Sequence, residues 1–426
     1  MRKLRLRWLA GAACLFAGAP GILTTMAEDS TIQPTPPASR EPIVLTEEAK
    51  KLHKSLLLID GHNDLPWEIR TKGSSDFDKL DISKMQPKLQ TDIPRLREGN
   101  VGAQFWSVWV PVQTGYDGTA LLSTLEQIEL VKAMIKRYPD DFELALTVDD
   151  IERIEKEGKV ASLIGVEGGH CIEDSIGNLE RLYGLGARYM TLTHSASLSW
   201  ADSCTGDKIS GGLNPFGVHV VETMNRLGMM VDLSHVSPAT AHAALDATKA
   251  PVMFSHSSAS GVADSPRNVP DDVLKRVTEN DGVVMVNFFS AFIVPNAVDT
   301  WETGKKLETE LNEKYDKDEA AVRLQRWKAQ NPLAPGDIHD LLDHIDHIAK
   351  VAGWRHVGIG SDFDGVSLLP KGLEDVSRYP YITQGLLDRG YTPEQIEAIM
   401  GGNLLRVMRK VEETAKELQK APASSK

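Results

Sequence analysis

Cysteine is almost missing from this chain: there are three in 426 residues, and only Cys171 and Cys204 lie beyond the N-terminal apolar run. Neither sits in the close Cys/His grouping of a zinc knot, and the pair is compatible with one disulfide or with two free thiols. Basic residues are also in deficit, 47 Lys and Arg against 60 Asp and Glu. An acidic surface of this kind disfavours nucleic acid and anionic membranes as partners. No GxGxxG turn follows the first internal apolar run, which argues against a dinucleotide-binding fold. No long apolar segment follows the first 27 residues, so neither a stable membrane anchor nor a C-terminal lipid-anchor signal is expected.

What is present begins with an export signature. Arg2, Lys3, Arg5 and Arg7 precede an uncharged stretch from Trp8 to Ala27, with Thr25 and Ala27 at the small-residue positions of a cleavage site. Residues 1–27 read as a signal peptide, which places the mature chain in the periplasm or outside the cell. Its removal leaves 43 basic against 60 acidic side chains, a net charge of −17. Residues 28–46, with STIQPTPPASREP, read as a proline-rich linker too polar to pack, and residues 413–426 as a polar tail after a helix end. Residues 47–412 remain for a single folded domain.

Eight short apolar or β-branched runs occur in that domain: Ser55–Asp60, Ala103–Val110, Ser162–Val166, Tyr189–Thr193, Met229–Leu233, Val252–Phe254, Val283–Phe288 and Val357–Gly360. Helical patterns such as Ile176–Ala187 and Pro238–Ala250 separate most of them. Near-continuous apolar strands alternating with helices imply a parallel sheet covered on both faces, and eight of them imply an α/β fold of the (β/α)8 TIM-barrel class. A charged helical insertion at about 300–333 interrupts the pattern after the seventh run, and both a lid and an oligomer contact are open readings of it. The sequence is compatible with a homodimer and does not decide it.

Polar residues cluster where the runs end. His62 and Asp64 follow the first run, Glu167 the third, His194 the fourth, His235 the fifth, His256 the sixth and Asp362 the eighth. All strand C-termini of an α/β barrel open onto one face, so residues almost 300 positions apart would meet there. Each alone has a plain structural reading: a lone histidine is more often a core residue than a ligand, and Glu167 could be a surface carboxylate. Their shared placement favours a metal site of the metal-dependent hydrolase type. A competing cluster, His339, Asp343, His344 and His347 in HDLLDHIDHIAK, has helical spacing and reads as the solvated face of an outer helix.

Nitrogen and oxygen ligands without thiolates suit Zn²⁺ and, less specifically, Mn²⁺, Co²⁺ or Fe²⁺. With His62 and Asp64 on one side, His235 and His256 on the other, and one oxygen of Glu167 for each, the inventory fits two bridged ions that activate a shared water. Asp362 in GSDFDG is placed to pass the proton to the leaving atom, with Asp364 the weaker candidate. His194 could donate to a developing oxyanion.

These residues belong to a longer series of motifs: DGHNDLPW, GVEGGH, RYMTLTHS, WADS, VDLSHVS, APVMFSHSSA, RNVPDD, VMVNF, GSDFDG, GLEDVSRYP and GGNLLRV. In this order, from about Thr46 to Glu412, the chain resembles the membrane dipeptidase (renal dipeptidase-like) family of zinc metallopeptidases, in a bacterial-type exported form. The resemblance implies two Zn²⁺ per chain held by His62, Asp64, bridging Glu167, His235 and His256. It also implies that His194 contacts the substrate carbonyl, Arg267 holds the substrate carboxylate and Asp362 is the acid/base residue. Pro66 would then stiffen a loop after the ligands, and Trp67 would be a pocket wall or a buried support for that loop. The expected activity is hydrolysis of dipeptides by a metal-bridging hydroxide, including those with a C-terminal D-residue, which members of the family often accept. A binuclear amidohydrolase acting on a lactam, N-acyl amino acid or ester is the alternative, and a non-catalytic exported peptide-binding protein a third reading. The lipid anchor and disulfides of animal members do not transfer to a chain with this C-terminus and these two cysteines.

Overall fold

The computed structural model describes residues 40–420; the expected signal peptide, the linker up to residue 39 and the last six residues lie outside it. Nine strands form one sheet: β1 (Leu58–Asn63), β2 (Val101–Ser107), β3 (Phe142–Leu144), β4 (Val160–Glu167), β5 (Ala187–Thr191), β6 (Met230–Asp232), β7 (Met253–Phe254), β8 (Val283–Val286) and β9 (Val357–Ile359). Every pairing is parallel. β1 pairs with both β2 and β9, and β2 pairs with β4, so eight strands close into a ring. The fold is a (β/α)8 barrel. Each of the eight apolar runs overlaps one barrel strand.

The ninth strand, β3, gave no signal in the sequence because its Phe-Glu-Leu carries a central glutamate and so forms no apolar run. It pairs with Val160–Ser162 of β4, on the stretch before β5 joins at Ile164. Consecutive strand residues divide between two cores, as a two-residue side-chain period requires. Ile59, Leu163 and Met285 belong to one core, while Leu58, Ile164 and Val284 join the layer that packs against helices. Space is shortest near the top of the barrel, where a Cβ on Gly360 would collide with the Ser255 carbonyl. Only glycine lets β9 and the chain after β7 approach that closely.

Four expectations change outside the barrel. Pro66 and Trp67 are not in a loop: they lie in the first turn of the helix Leu65–Lys72, where the fixed φ of proline suits a position whose N–H needs no intrahelical partner. Residues 40–46 are not free of the domain. Arg40 pairs with Asp340 and Asp343 at 2.5 Å each, and His339 Nε2 lies 2.8 Å from the Glu41 carbonyl oxygen. The helix carrying those partners, Ile338–Ala352, is not a solvated face either, since His339 and His344 are buried. His344 Nδ1 accepts from the Ala259 N–H and Nε2 meets the Ile293 carbonyl, so the histidine secures two loops and is not part of a metal cluster. Finally, the C-terminal helix Asn403–Lys420 extends well into the stretch read as a tail.

The charged insertion forms two helices, Pro295–Lys314 and Lys317–Gln330. Gly304 lets them pack closely, because its Cβ position lies 3.0 Å from the Trp327 ring. Both Cys171 and Cys204 are free thiols. Among the described residues, no helix is long and apolar enough to cross a membrane.

Candidate active site

The C-terminal ends of the strands bring His62, Asp64, Glu167, His194, His235, His256 and Asp362 together at one mouth. Glu167 is the centre. Its Oε1 lies 3.0 Å from His235 Nε2, 3.4 Å from His256 Nε2 and 3.6 Å from His194 Nε2. Its Oε2 faces the other way, 3.5 Å from His62 Nε2, which is itself 3.3 Å from Asp64 Oδ2. The imidazoles of His235 and His256 aim their Nε2 atoms at each other across 2.8 Å. Within this mouth His62, Asp64 and Asp362 form one group with converging donor atoms, while Glu167, His194 and His235 form another; His256 joins Glu167 and His62 in a third.

Local backbone geometry aims these groups. His235 and Asp362 both take positive φ values, 66° and 65°, a region that non-glycine residues seldom occupy. Such conformations persist where surrounding structure over-determines them, and here His235 meets Glu167 and Asp362 meets Asn287.

Electrostatics suit a cation. Burial opposes the charge of Glu167, but His62 and His194 with hydrogen bonds from His235 and His256 hold its carboxyl well below the usual range. Burial, reinforced by neighbouring positive groups, pushes His235 and His256 well down, so both imidazoles are neutral with a lone pair to offer. His62 is the exception: burial works against its proton, yet Tyr189, Glu167 and Asp64 raise it well above the ordinary histidine value. Asp362 is pushed up to about 8, chiefly by burial and further by Asp64 and Glu167, with His62 opposing. Asn287 Nδ2 donates to Asp362 Oδ2 at 2.7 Å and fixes its orientation.

The donor set fits metal ions. His62 Nε2 is buried and points at oxygens of two carboxylates, Asp64 and Glu167, a convergence of one imidazole and two carboxylates that can hold a cation in place of the His62 proton. Both other histidine ligand candidates already lack a proton. Behind them stand supports that sequence reading missed. Tyr189 Oη meets His62 Nδ1 at 2.8 Å, and Ser255 Oγ meets His256 Nδ1 at 2.8 Å while donating to Asp232 at 2.7 Å. Such partners fix the ring orientation of a metal-binding histidine. The only available signal was an aspartate closing an apolar run, as in Asp60 of LLLID and Asp232 of MMVD.

The mouth opens into a cavity of about 1010 Å³ lined by Asp64, Trp67, Glu167, His194, His235, Arg267 and Asp362. Arg267 is 7% exposed; its Nη2 donates to the His256 carbonyl at 3.3 Å, while Nε and Nη1 are buried without a partner. Buried guanidinium donors without partners suit an anion such as a carboxylate. Trp67 packs edge-on against Trp109 at 4.7 Å, and Trp109 in turn lies 5.6 Å from His194. Trp67 is thus both wall and support.

Comparison with known proteins agrees with this geometry. A probable dipeptidase, PvdM, from Pseudomonas aeruginosa has a similar structure at TM-score 0.77, with 24% identity over 86% of this chain and 98% of that one. A metallo peptidase from Rhodobacter sphaeroides, liganded with a phosphinate mimic of the dipeptide L-Ala-D-Ala, matches at TM-score 0.69 with 21% identity over 84% and 99%. An amidohydrolase from Pseudomonas aeruginosa matches at 0.65, with 24% identity over 85% and 98%. At these identities the likeness shows the shared barrel. The profile of the membrane dipeptidase family (peptidase family M19) matches residues 46–422, nearly the whole described chain. The chain therefore belongs to the membrane dipeptidase family and is a peptide-bond hydrolase of that kind.

Proposed function

We propose that this protein is an exported dipeptidase that holds two zinc ions through His62, Asp64, Glu167, His235 and His256. The observation that carries the reading is the division of Glu167, with Oε2 toward His62 and Oε1 toward His235 and His256. One carboxylate can in this way serve two ions. Bound zinc would supply the polarisation of the scissile carbonyl and the acidification of water that hydrolysis near neutral pH needs.

The chain's own residues supply the rest. Arg267 binds the substrate's C-terminal carboxylate through its guanidinium, which restricts cleavage to a bond one residue from the end. His194, kept neutral chiefly by burial, donates an N–H to the carbonyl oxygen as it gains negative charge. Asp362, raised and oriented by Asn287, passes a proton to the amine nitrogen as the C–N bond breaks. Trp67 and Trp109 wall the His194 side and keep solvent from that face. Acceptance of a C-terminal D-residue is part of this proposal, supported by the ligand of the Rhodobacter neighbour.

The test is hydrolysis by the chain from Glu28 onward, apo and zinc-loaded, of an L,L-dipeptide, its counterpart ending in a D-residue, its C-terminal amide, and a tripeptide. Zinc-restored cleavage of the two free-acid dipeptides alone is expected. Equal cleavage of the amide would sink the Arg267 anchor and favour the amidohydrolase reading, while no cleavage of any member would overturn the dipeptidase assignment.

A further inference from the structure

The cavity wall beside Arg267 is aromatic, and it runs from the chain after β8 onto the charged helical segment. The Arg267 guanidinium sits 5.2 Å from the Phe292 ring centroid. Phe292 meets Phe289 edge-to-face at 4.8 Å, and Phe289 meets Trp301 edge-to-face at 5.2 Å. Lys305 Nζ lies 5.1 Å from the Trp301 ring, on the same helix one turn later. All five side chains line the cavity. They make an unbroken run from the carboxylate anchor to the helix Pro295–Lys314.

This run has no role in bond cleavage, yet its position assigns it one in selection. A carboxylate held by Arg267 places the Cα of the substrate's C-terminal residue one bond away, so that residue's side chain must leave the Cα next to Phe292. On the opposite side the scissile bond faces Glu167 and His194. The side chain therefore has the aromatic run on its open flank.

Trp301 is half-buried, with an indole face partly free, and the closely packed partner helix at Gly304 holds its helix in place. Resting on the dipeptidase reading, we propose that Phe292, Phe289 and Trp301 form the wall of the subsite for the C-terminal side chain, and that they select dipeptides ending in a bulky apolar or aromatic residue. The physical basis is apolar area removed from water together with edge-to-face ring contact. Trp301, which the helical segment adds beyond the barrel, is the specificity-determining residue of the three.

The experiment compares kcat/KM for Ala-Phe and Ala-Gly with the zinc-loaded chain from Glu28 onward, in the parent, Trp301→Ala and Trp301→Phe. The parent should favour Ala-Phe by about tenfold or more, a difference of the size that side-chain pockets achieve. Trp301→Ala should remove most of that ratio, mainly through a higher KM for Ala-Phe, and Trp301→Phe should restore much of it. A parent ratio near one, or a ratio unaffected by Trp301→Ala, would overturn the wall assignment while leaving the dipeptidase reading intact. If neither peptide is cleaved, that reading fails by itself. Calorimetric binding of the same two peptides then decides the wall: equal affinities overturn it, and tighter Ala-Phe binding weakened by Trp301→Ala upholds it.

Discussion

Asp362 stores stability cost in exchange for chemistry. Its carboxyl titrates at about 8 in the fold, against about 4 for an aspartate in an unfolded chain. Between those values the folded state binds more protons than the unfolded one, so this group lowers the stability of the metal-free protein as pH rises through that window. Below pH 4 both states are protonated and the effect disappears. Asp362→Asn should therefore make the metal-free protein more stable than the parent at pH 8, by at most about 5 kcal/mol for a four-unit shift, and the difference should shrink as pH approaches 4. Urea denaturation at several pH values measures it, and a difference independent of pH would contradict the assignment. In the zinc-loaded enzyme the same variant should lower kcat by about 10²–10⁴-fold with little change in KM, as expected for loss of a general acid.

At the scale of elements, two buried aspartates fasten neighbouring strands just below the ligands. Asp60, in β1, accepts from the Ser361 N–H at 2.8 Å, its hydroxyl at 2.6 Å and the Tyr379 hydroxyl at 2.7 Å, joining β1 to the end of β9. Asp232, closing β6, accepts from the Ser255 N–H at 2.8 Å and its hydroxyl at 2.7 Å, joining β6 to the end of β7, and from the Thr191 hydroxyl of β5. The residues after these joints are His62, Asp362, His235 and His256. Burial raises the pKa of both aspartates against these hydrogen bonds, so each joint carries a desolvation cost. Asp232→Ala removes that cost but leaves several buried donors unpaired, each worth about 1–3 kcal/mol. A net destabilisation of about 3 kcal/mol is expected by chemical denaturation, with Asp232→Asn milder. A loss below about 0.5 kcal/mol would show that the joint is dispensable.

For the whole molecule, the candidate metal site joins strands that are distant in sequence. On the proposed assignment, ions held by β1, β4 and the chain after β6 and β7 would bind the folded state alone and stabilise it by mass action, by about 2.7 kcal/mol at a free concentration of one hundred times Kd. Chelation should lower Tm and zinc should restore it, as read by calorimetry; an unchanged Tm would argue against a site that spans the barrel. Binding should also release a proton near neutral pH, because His62 holds one in the metal-free protein. Titrations in buffers of different ionisation enthalpy would detect it.

The eight barrel strands and the residues that meet at the mouth were legible because both signals are local. Apolar runs report burial on two faces, and a histidine or carboxylate right after such a run must lie at the mouth once the strands are parallel. Sequence alone thereby determined the barrel class, the family and the convergence of His62, Asp64, Glu167, His194, His235, His256 and Asp362. Tertiary structure decided what depends on closure of the ring and on docking across it. Tyr189 reaches His62 only because β5 and β1 face each other through the barrel interior, and Arg40 meets Asp340 and Asp343 only because residues 40–46 return to an outer helix. Burial of His344 and the turn of Trp301 toward Arg267 likewise follow from helix packing. Such contacts join residues hundreds of positions apart, and no local period records them.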